Sequence, residues 1–335
     1  MTDTSPGQAP SLAPGALGPV GDQPEREFTV TARTSGQMVR RRFLRHRGAM
    51  GGLAVLVAVI LLAFTSIGFG PVDGWWGKDY TRTAPVVDGG QMTLDLLPFV
   101  DGDGLAVGEH PFGQDNVGKD YFALTMRGTQ RSLIIAFVVG LVSMLVGLLV
   151  GTLSGYFRGI TEGVLMRITD VFLTIPLLVI AAVVSRRWSG AGIVVLGLVL
   201  GLVVWVQLAR LVRGEFLSLR EKEFVEAARA LGASGPRIIL RHLLPNTIGT
   251  VIVNVTLIIS AAILLETALS FLGLGVQPPD TSLGVLVSVY QTASMTRPWL
   301  FWWPGLFIIA IALSINFIGD GLRDAFDPKQ TRVRA

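Results

Sequence analysis

The chain has no cysteine, only three histidines, and few charges: Asp, Glu, Lys and Arg make up 16% of its 335 residues. Without cysteine, neither a disulfide framework nor a thiolate metal site can form. His46, His110 and His242 are scattered and HExxH is absent, so no shared imidazole site for a metal is expected. The phosphate loop GxxxxGK[ST] is also missing, which leaves the chain no motif of its own for hydrolysing ATP. So little charge excludes an ordinary soluble domain of this length.

What is present is apolar sequence in blocks. Residues 49–69, 132–157, 190–209 and 299–319 contain no Asp, Glu, Lys or Arg. About 20 apolar residues cross a bilayer as a helix. Two weaker runs join them: 168–185, with Asp170 near its start and Pro176 inside, and 246–270, which holds Glu266. Lipid offers backbone amides no partner, so each span must be helical. The prediction is an all-α membrane protein with six transmembrane helices. With the N-terminus inside, residues 1–48, 158–167, 210–245 and 320–335 carry 20 of the 28 Lys and Arg on the inner side. That asymmetry predicts an N-in, C-in topology, although Arg186 and Arg187 fall outside. It also accounts for the net charge of +4 without nucleic acid.

The chain divides accordingly. Residues 1–36, rich in Pro, Gly, Ser and Thr, are expected to form a disordered cytoplasmic tail. Residues 37–69 hold a basic flank, RRRFLRHR at 40–47, and the first transmembrane helix. Its apolar run is too long and starts too late for a signal peptide. Residues 70–131 form an extracytoplasmic segment. DGDG at 101–104 lacks the EF-hand spacing and closing Glu, so it reads as a turn. Residues 132–320 are the core with five further helices, and 321–335 a cytoplasmic tail. Gly147, Gly151 and Gly155 share one helix face, and Gly197 and Gly201 repeat the spacing, which predicts close helix packing. Pro176 should kink the third span.

One stretch does not fit an apolar core: EFVEAARALGASGPRIILRHLLPN, residues 223–246. Phe224, Ala227, Ala228 and Leu231 recur at helical spacing, with Glu223, Glu226 and Arg229 opposite. Glu226 and Arg229 can support one another across a turn. Gly232 stands where a left-handed cap would end this helix. Ser234-Gly235-Pro236 opens a second helix that should stop near Pro245. The pattern predicts a helix–turn–helix at the cytoplasmic surface. Its thin, Ala-rich apolar face suits a protein groove better than lipid.

EAARALG followed by LLP, with twelve residues between Gly232 and Pro245, resembles the EAA loop of ABC importer permeases. His242, within RHLLPN, is similar to the dipeptide/oligopeptide (peptide/nickel) branch. HPFGQDNVGKD (110–120), GYFRGITEGVLMRITDVFLTIPLL (155–178), ETALSFLGLGVQPPDTSLG (266–284) and NFIGDGLRDAFDP (316–328) resemble further signatures of its C-type permeases. The resemblance covers about residues 38–330. Gln114 and Lys119 stand where Thr and Arg are usual, ALTMRG at 123–128 replaces a Ser-Arg-bearing segment, and TSLG replaces Pro-x-Trp-Gly.

The resemblance implies a type I ABC importer permease fold and one half of a translocation pore for di- or oligopeptides. It implies a homologous permease partner, two cytoplasmic ATPase subunits or domains that bind ATP and Mg, an extracytoplasmic binding protein, and a bacterial cytoplasmic membrane. It implies no cofactor in this chain and no catalysis by it. Coupling to the ATPase would rest on Glu223, Glu226, Ala227, Ala228, Arg229, Gly232, Leu244 and Pro245, within 210–245. Glu266, Ser270, Gly273 and Gly275 are candidates for a gate or pathway. Glu266 near the outer end of its span has other readings: structural support, or the proton relay of an ion-coupled secondary transporter.

Overall fold

The computed structural model describes residues 35–94 and 107–327. The expected tail up to residue 34, the 101–104 turn and residues 328–335 of the expected C-terminal tail lie outside the described residues. Helix α1 (Ser35–Arg45) is basic and amphipathic; it takes in the expected basic flank and the last two residues, 35 and 36, of the stretch expected to be disordered. His46 then caps α2 (Arg47–Ser66), its Nδ1 accepting from the Ala49 amide at 3.0 Å. Helix α2 is the first apolar run. A hairpin follows, β1 (Gly68–Phe69) against β2 (Val72–Asp73).

Helix α3 (Tyr121–Phe157) begins well before the expected residue 132. Arg127 and Arg131 sit in its first turns without ending it, because both pair with Asp280, at 2.9 and 2.7 Å. The third and fourth expected spans are each broken rather than single. Helices α4 (Gly159–Thr174) and α5 (Leu177–Trp188) meet at 90°, and α6 (Ile193–Val204) and α7 (Val206–Arg220) at 48°. Pro176 explains the first break. It lacks an amide donor and disfavours helical backbone at Ile175, which is extended at φ −99°, ψ 131°.

After α7 come α8 (Glu223–Ala230), α9 (Gly235–Ile238), a π-type turn (Ile239–Leu243) and α10 (Leu244–Phe271). Helices α11 (Leu283–Tyr290) and α12 (Trp299–Phe326) complete the described chain. Among the described residues, four helices are long and apolar enough to cross a membrane, or six spans if each bent pair counts as one.

Helix α3 forms the centre. Its Ile135 and Val139 join Leu200 of α6, Ile263 of α10 and Ile311 of α12 in one core. The glycine stripe has the role expected of it. A Cβ on Gly147, Gly151 or Gly155 would press on Leu208, Val212 or Phe216, all on α7. Gly197 and Gly201 of α6 abut Val138 and Val142 of α3 in the same way. Two helices therefore lie on α3 at a spacing that larger residues would forbid.

Candidate functional site

Three places carry the residues picked out by sequence. The first is the loop between α7 and α10. Helix α8 ends as expected: Gly232 has φ +80°, the Ala233 amide donates to Ala228 O at 3.0 Å, and the Gly232 amide to Arg229 O at 2.9 Å. Those two bonds form a Schellman cap, which satisfies carbonyls that a helix end leaves open. The expected stop near Pro245 is not found. The chain passes through the π-type turn into α10, with Pro245 in the first turn of that helix. Proline costs least in a first turn, so it does not end the helix. Leu244 is half-buried and Pro245 exposed.

The apolar residues of α8 divide between contact within the chain and exposure. Val225 and Ala228 are buried against Phe216, Ile238 and Leu243. Phe224 is 42% and Leu231 89% exposed, and Ala227 is exposed with them. Val225 packs with Phe216 of α7, and helical spacing then turns Phe224, Ala227 and Leu231 outward. Glu223, Glu226 and Arg229 are exposed as well, and no ion pair joins Glu226 to Arg229 among the described residues. The loop is braced from the other side. Arg220 donates to the Tyr156 carbonyl, Arg158 pairs with Glu221 at 2.6 Å, and Gly235 abuts the Tyr156 ring. Thr250 on α10 donates to Glu215 on α7 at 3.2 Å.

The second place is Glu266. It is 1% exposed rather than interfacial. Ser270 and Ser282 donate to its Oε1 at 2.8 and 2.6 Å, and Ser132 to Oε2 at 3.3 Å. The Ser132 hydroxyl in turn accepts the Leu283 amide at 3.1 Å, and Ser282 caps α11. One carboxylate thus ties α3, α10 and the start of α11 together. Gly275 packs directly on Ser270, and Gly273 takes φ +70° in the turn after α10. Ser132 and Ser282 were not picked out by sequence, because they are remote from Glu266 along the chain.

The third place is the motif at 110–120. His110 Nδ1 meets Asp120 Oδ2 at 2.7 Å, while Asp120 Oδ1 accepts the Ala123 amide at 2.8 Å and caps α3. Gln114 is buried; it accepts the Val87 amide at 2.9 Å and donates to Pro85 O at 3.2 Å. Its length lets it reach the 85–87 segment, so this departure from the usual Thr holds structure. Tyr290 donates to Asp115 at 3.1 Å. Burial, then the Asp115 charge, raises the Tyr290 phenol well above its ordinary pKa.

A mostly apolar cavity of about 380 Å³ lies where both bends meet α10, lined by Ile175, Pro176, Val206, Gln207, Ile258 and Leu265. No group of His, Asp and Glu that could hold a metal occurs among the described residues.

A polytopic helical bundle with apolar runs long enough to cross a membrane and a braced loop between two of them is the build of a multi-pass membrane protein. The chain belongs to the family of binding-protein-dependent transport system inner membrane components, whose profile matches residues 147–332. Residues 34–75 match the N-terminal TM domain of oligopeptide transport permease C. Relatives named oligopeptide transport system permease protein OppC are 37% identical over 298 residues in Mycobacterium tuberculosis H37Rv, covering 89% of this chain and 96% of the relative. The OppC of Escherichia coli K12 is 37% identical over 303 residues, covering 90% and 94%. That of Salmonella typhimurium LT2 is 38% identical over 308 residues, covering 90% and 94%. An inward-facing structure of the MetNI methionine ABC transporter matches 61% of this chain and 96% of its own at 20% identity, with a TM-score of 0.46. The chain is thus the multi-pass permease component of an ABC transporter, and ATP hydrolysis belongs to partner subunits. The family implies ATPase and membrane partners and a binding protein.

Proposed function

We propose that the chain forms half of the pore of a di- or oligopeptide importer in a bacterial cytoplasmic membrane, both termini inside, paired with a homologous permease. The OppC relatives support the cargo class. Two cytoplasmic ATPase subunits would drive it, and an extracytoplasmic binding protein would deliver the peptide.

The observation that carries this reading is the exposed face of α8. Phe224, Ala227 and Leu231 point away from the bundle, beside the charged side chains of Glu223, Glu226 and Arg229. An apolar stripe of that width on a short helix suits a groove in another protein. Glu223 and Glu226 flank it and offer charge to the groove's rim. The seat beneath is firm, since Val225 and Ala228 rest on α7 and the Schellman cap fixes the turn. Movement of α8 therefore passes to α7 and α10, and through the glycine stripe to α3. The cavity at the two bends is the place where such motion would alter the path.

The test is reconstitution with the ATPases, the partner permease and the loaded binding protein in proteoliposomes. Labelled peptide uptake should require ATP. Phe224→Glu with Leu231→Glu should abolish uptake and release the ATPase on co-purification, at unchanged membrane abundance. Uptake unaffected by that double change would remove α8 from coupling. Uptake driven by a proton gradient without ATP would overturn the importer reading.

A further inference from the structure

Where the first and last helices meet, a crevice of about 1010 Å³ opens that the transport reading leaves unused. Its apolar walls are Val39 and Phe43 of α1, Ile248 of α10, and Leu322 and Phe326 of α12. Arg40 and Arg42 line the same crevice. Arg40, Arg41, Arg45 and Arg47 are exposed, and none has an ion-pair partner among the described residues. The nearby acids are already engaged. Asp324 lies 3.4 Å from His46, and Glu215, the one acid in the crevice, accepts from Thr250 at 3.2 Å. Arg42 donates to the Asp327 carbonyl at 3.0 Å, which pins α1 across the end of α12.

A cationic rim over an apolar trough, beside the start of a membrane span, selects an amphiphile with a negative head. Basic pockets between transmembrane helices on the cytoplasmic side take acidic lipid headgroups. Met38 and Leu44 stay exposed among the arginines of α1, the pattern of a helix lying in the headgroup layer. We propose that α1 and this crevice bind an anionic phospholipid, with its headgroup at Arg40 and an acyl chain between Phe43, Ile248 and Phe326. Arg41, Arg45 and Arg47 supply the surrounding positive field. Pro245 and Asn246 line the same crevice, so the lipid also touches the base of the α8 loop. The proposal is independent of the cargo.

The full chain is placed in nanodiscs of phosphatidylcholine mixed with phosphatidylglycerol, extracted in detergent, and weighed by native mass spectrometry. It should retain phosphatidylglycerol in preference to phosphatidylcholine. Replacing Arg40, Arg41 and Arg45 by Gln should lower that preference by about fivefold per arginine. Replacing the same three by Lys should keep it, which separates charge from folding. Ile248→Trp, which fills the trough without changing charge, should also lower retention. Arg186→Gln with Arg187→Gln, in the last turn of α5, should leave it unchanged. Unaltered preference in the triple Gln variant, equal loss in the α5 variant, or full retention in Ile248→Trp would each overturn the site.

Discussion

Replacing Gly151 by alanine should destabilise the bundle, although alanine is the better helix former. A Cβ at this position would lie 2.6 Å from Val212 Cβ and 2.7 Å from the Ala209 carbonyl oxygen. Ordinary contact begins near 3.4 Å, so α3 and α7 must part by roughly 1 Å in a closely packed interior. Overpacking of this kind costs about 1–3 kcal/mol. The helix propensity of alanine returns up to about 1 kcal/mol. The net loss is therefore up to about 2 kcal/mol. Gly214, on the exposed face of α7, supplies the control, because a Cβ there meets nothing within 4 Å. Gly214→Ala should gain about 0.5–1 kcal/mol. Gly147→Ala, with its contact to Leu208 at 3.0 Å, should fall between them. Thermal unfolding of the detergent-purified chain, followed by tryptophan fluorescence, reads all three. Shifts of Gly151→Ala and Gly214→Ala in the same direction would refute the claim that close approach, not glycine's frequency in membrane helices, accounts for the stripe.

Gly232→Ala should cost about 1 kcal/mol through its positive φ alone, since a Cβ there meets nothing within 4 Å, and Gly232→Asn should cost less; amide exchange across α8 would register the order. Glu266→Ala strands three serine hydroxyls and should lower stability by roughly 2–4 kcal/mol, while Glu266→Gln, keeping shape and one acceptor, should lose roughly 1 kcal/mol and retain ATP-driven uptake. Loss of uptake in a stable Gln variant would restore a proton-carrying role for this residue. Tyr290 has a folded pKa above its unfolded value, so its contribution is complete below roughly pH 10 and is lost as pH rises toward the folded pKa. Tyr290→Phe should therefore flatten the fall of melting temperature at alkaline pH and leave its slope near neutrality unchanged.

The elements legible in the sequence are those set by local geometry. Glycines four apart must share a helix face, and Gly147, Gly151 and Gly155 do meet one neighbour. Gly232 and Pro236 bracket a turn because one tolerates positive φ and the other needs no amide donor, so α8 has the bounds its punctuation predicts. The rest depends on partners far along the chain. Nothing near Trp205 marks the 48° bend, and Pro176 promises a kink without setting 90°. Ser270 lies one helical turn from Glu266, but Ser132 and Ser282 come to it from other elements, which no periodicity connects. Arg127 and Arg131 mark the edge of an apolar run, yet the helix continues past them because Asp280 comes back to meet them.

The loop divides its apolar residues between two surfaces. The helical spacing puts Phe224, Ala227, Ala228 and Leu231 on one face suited to a protein groove and leaves Val225 off it. The fold buries Val225 and Ala228 against Phe216, Ile238 and Leu243 and leaves Phe224, Ala227 and Leu231 exposed. On a membrane-facing helix an exposed leucine needs no explanation, since lipid covers it. On a charged loop between two spans it keeps apolar area in contact with water, at roughly 25 cal/mol per Å². Phe224 and Leu231 project from a helix whose own end is capped and whose inner face is fixed, so no rearrangement within the loop would hide them. Under the proposed function that surface meets the groove of an ATPase subunit, and the acidic side chains beside it meet the groove's rim.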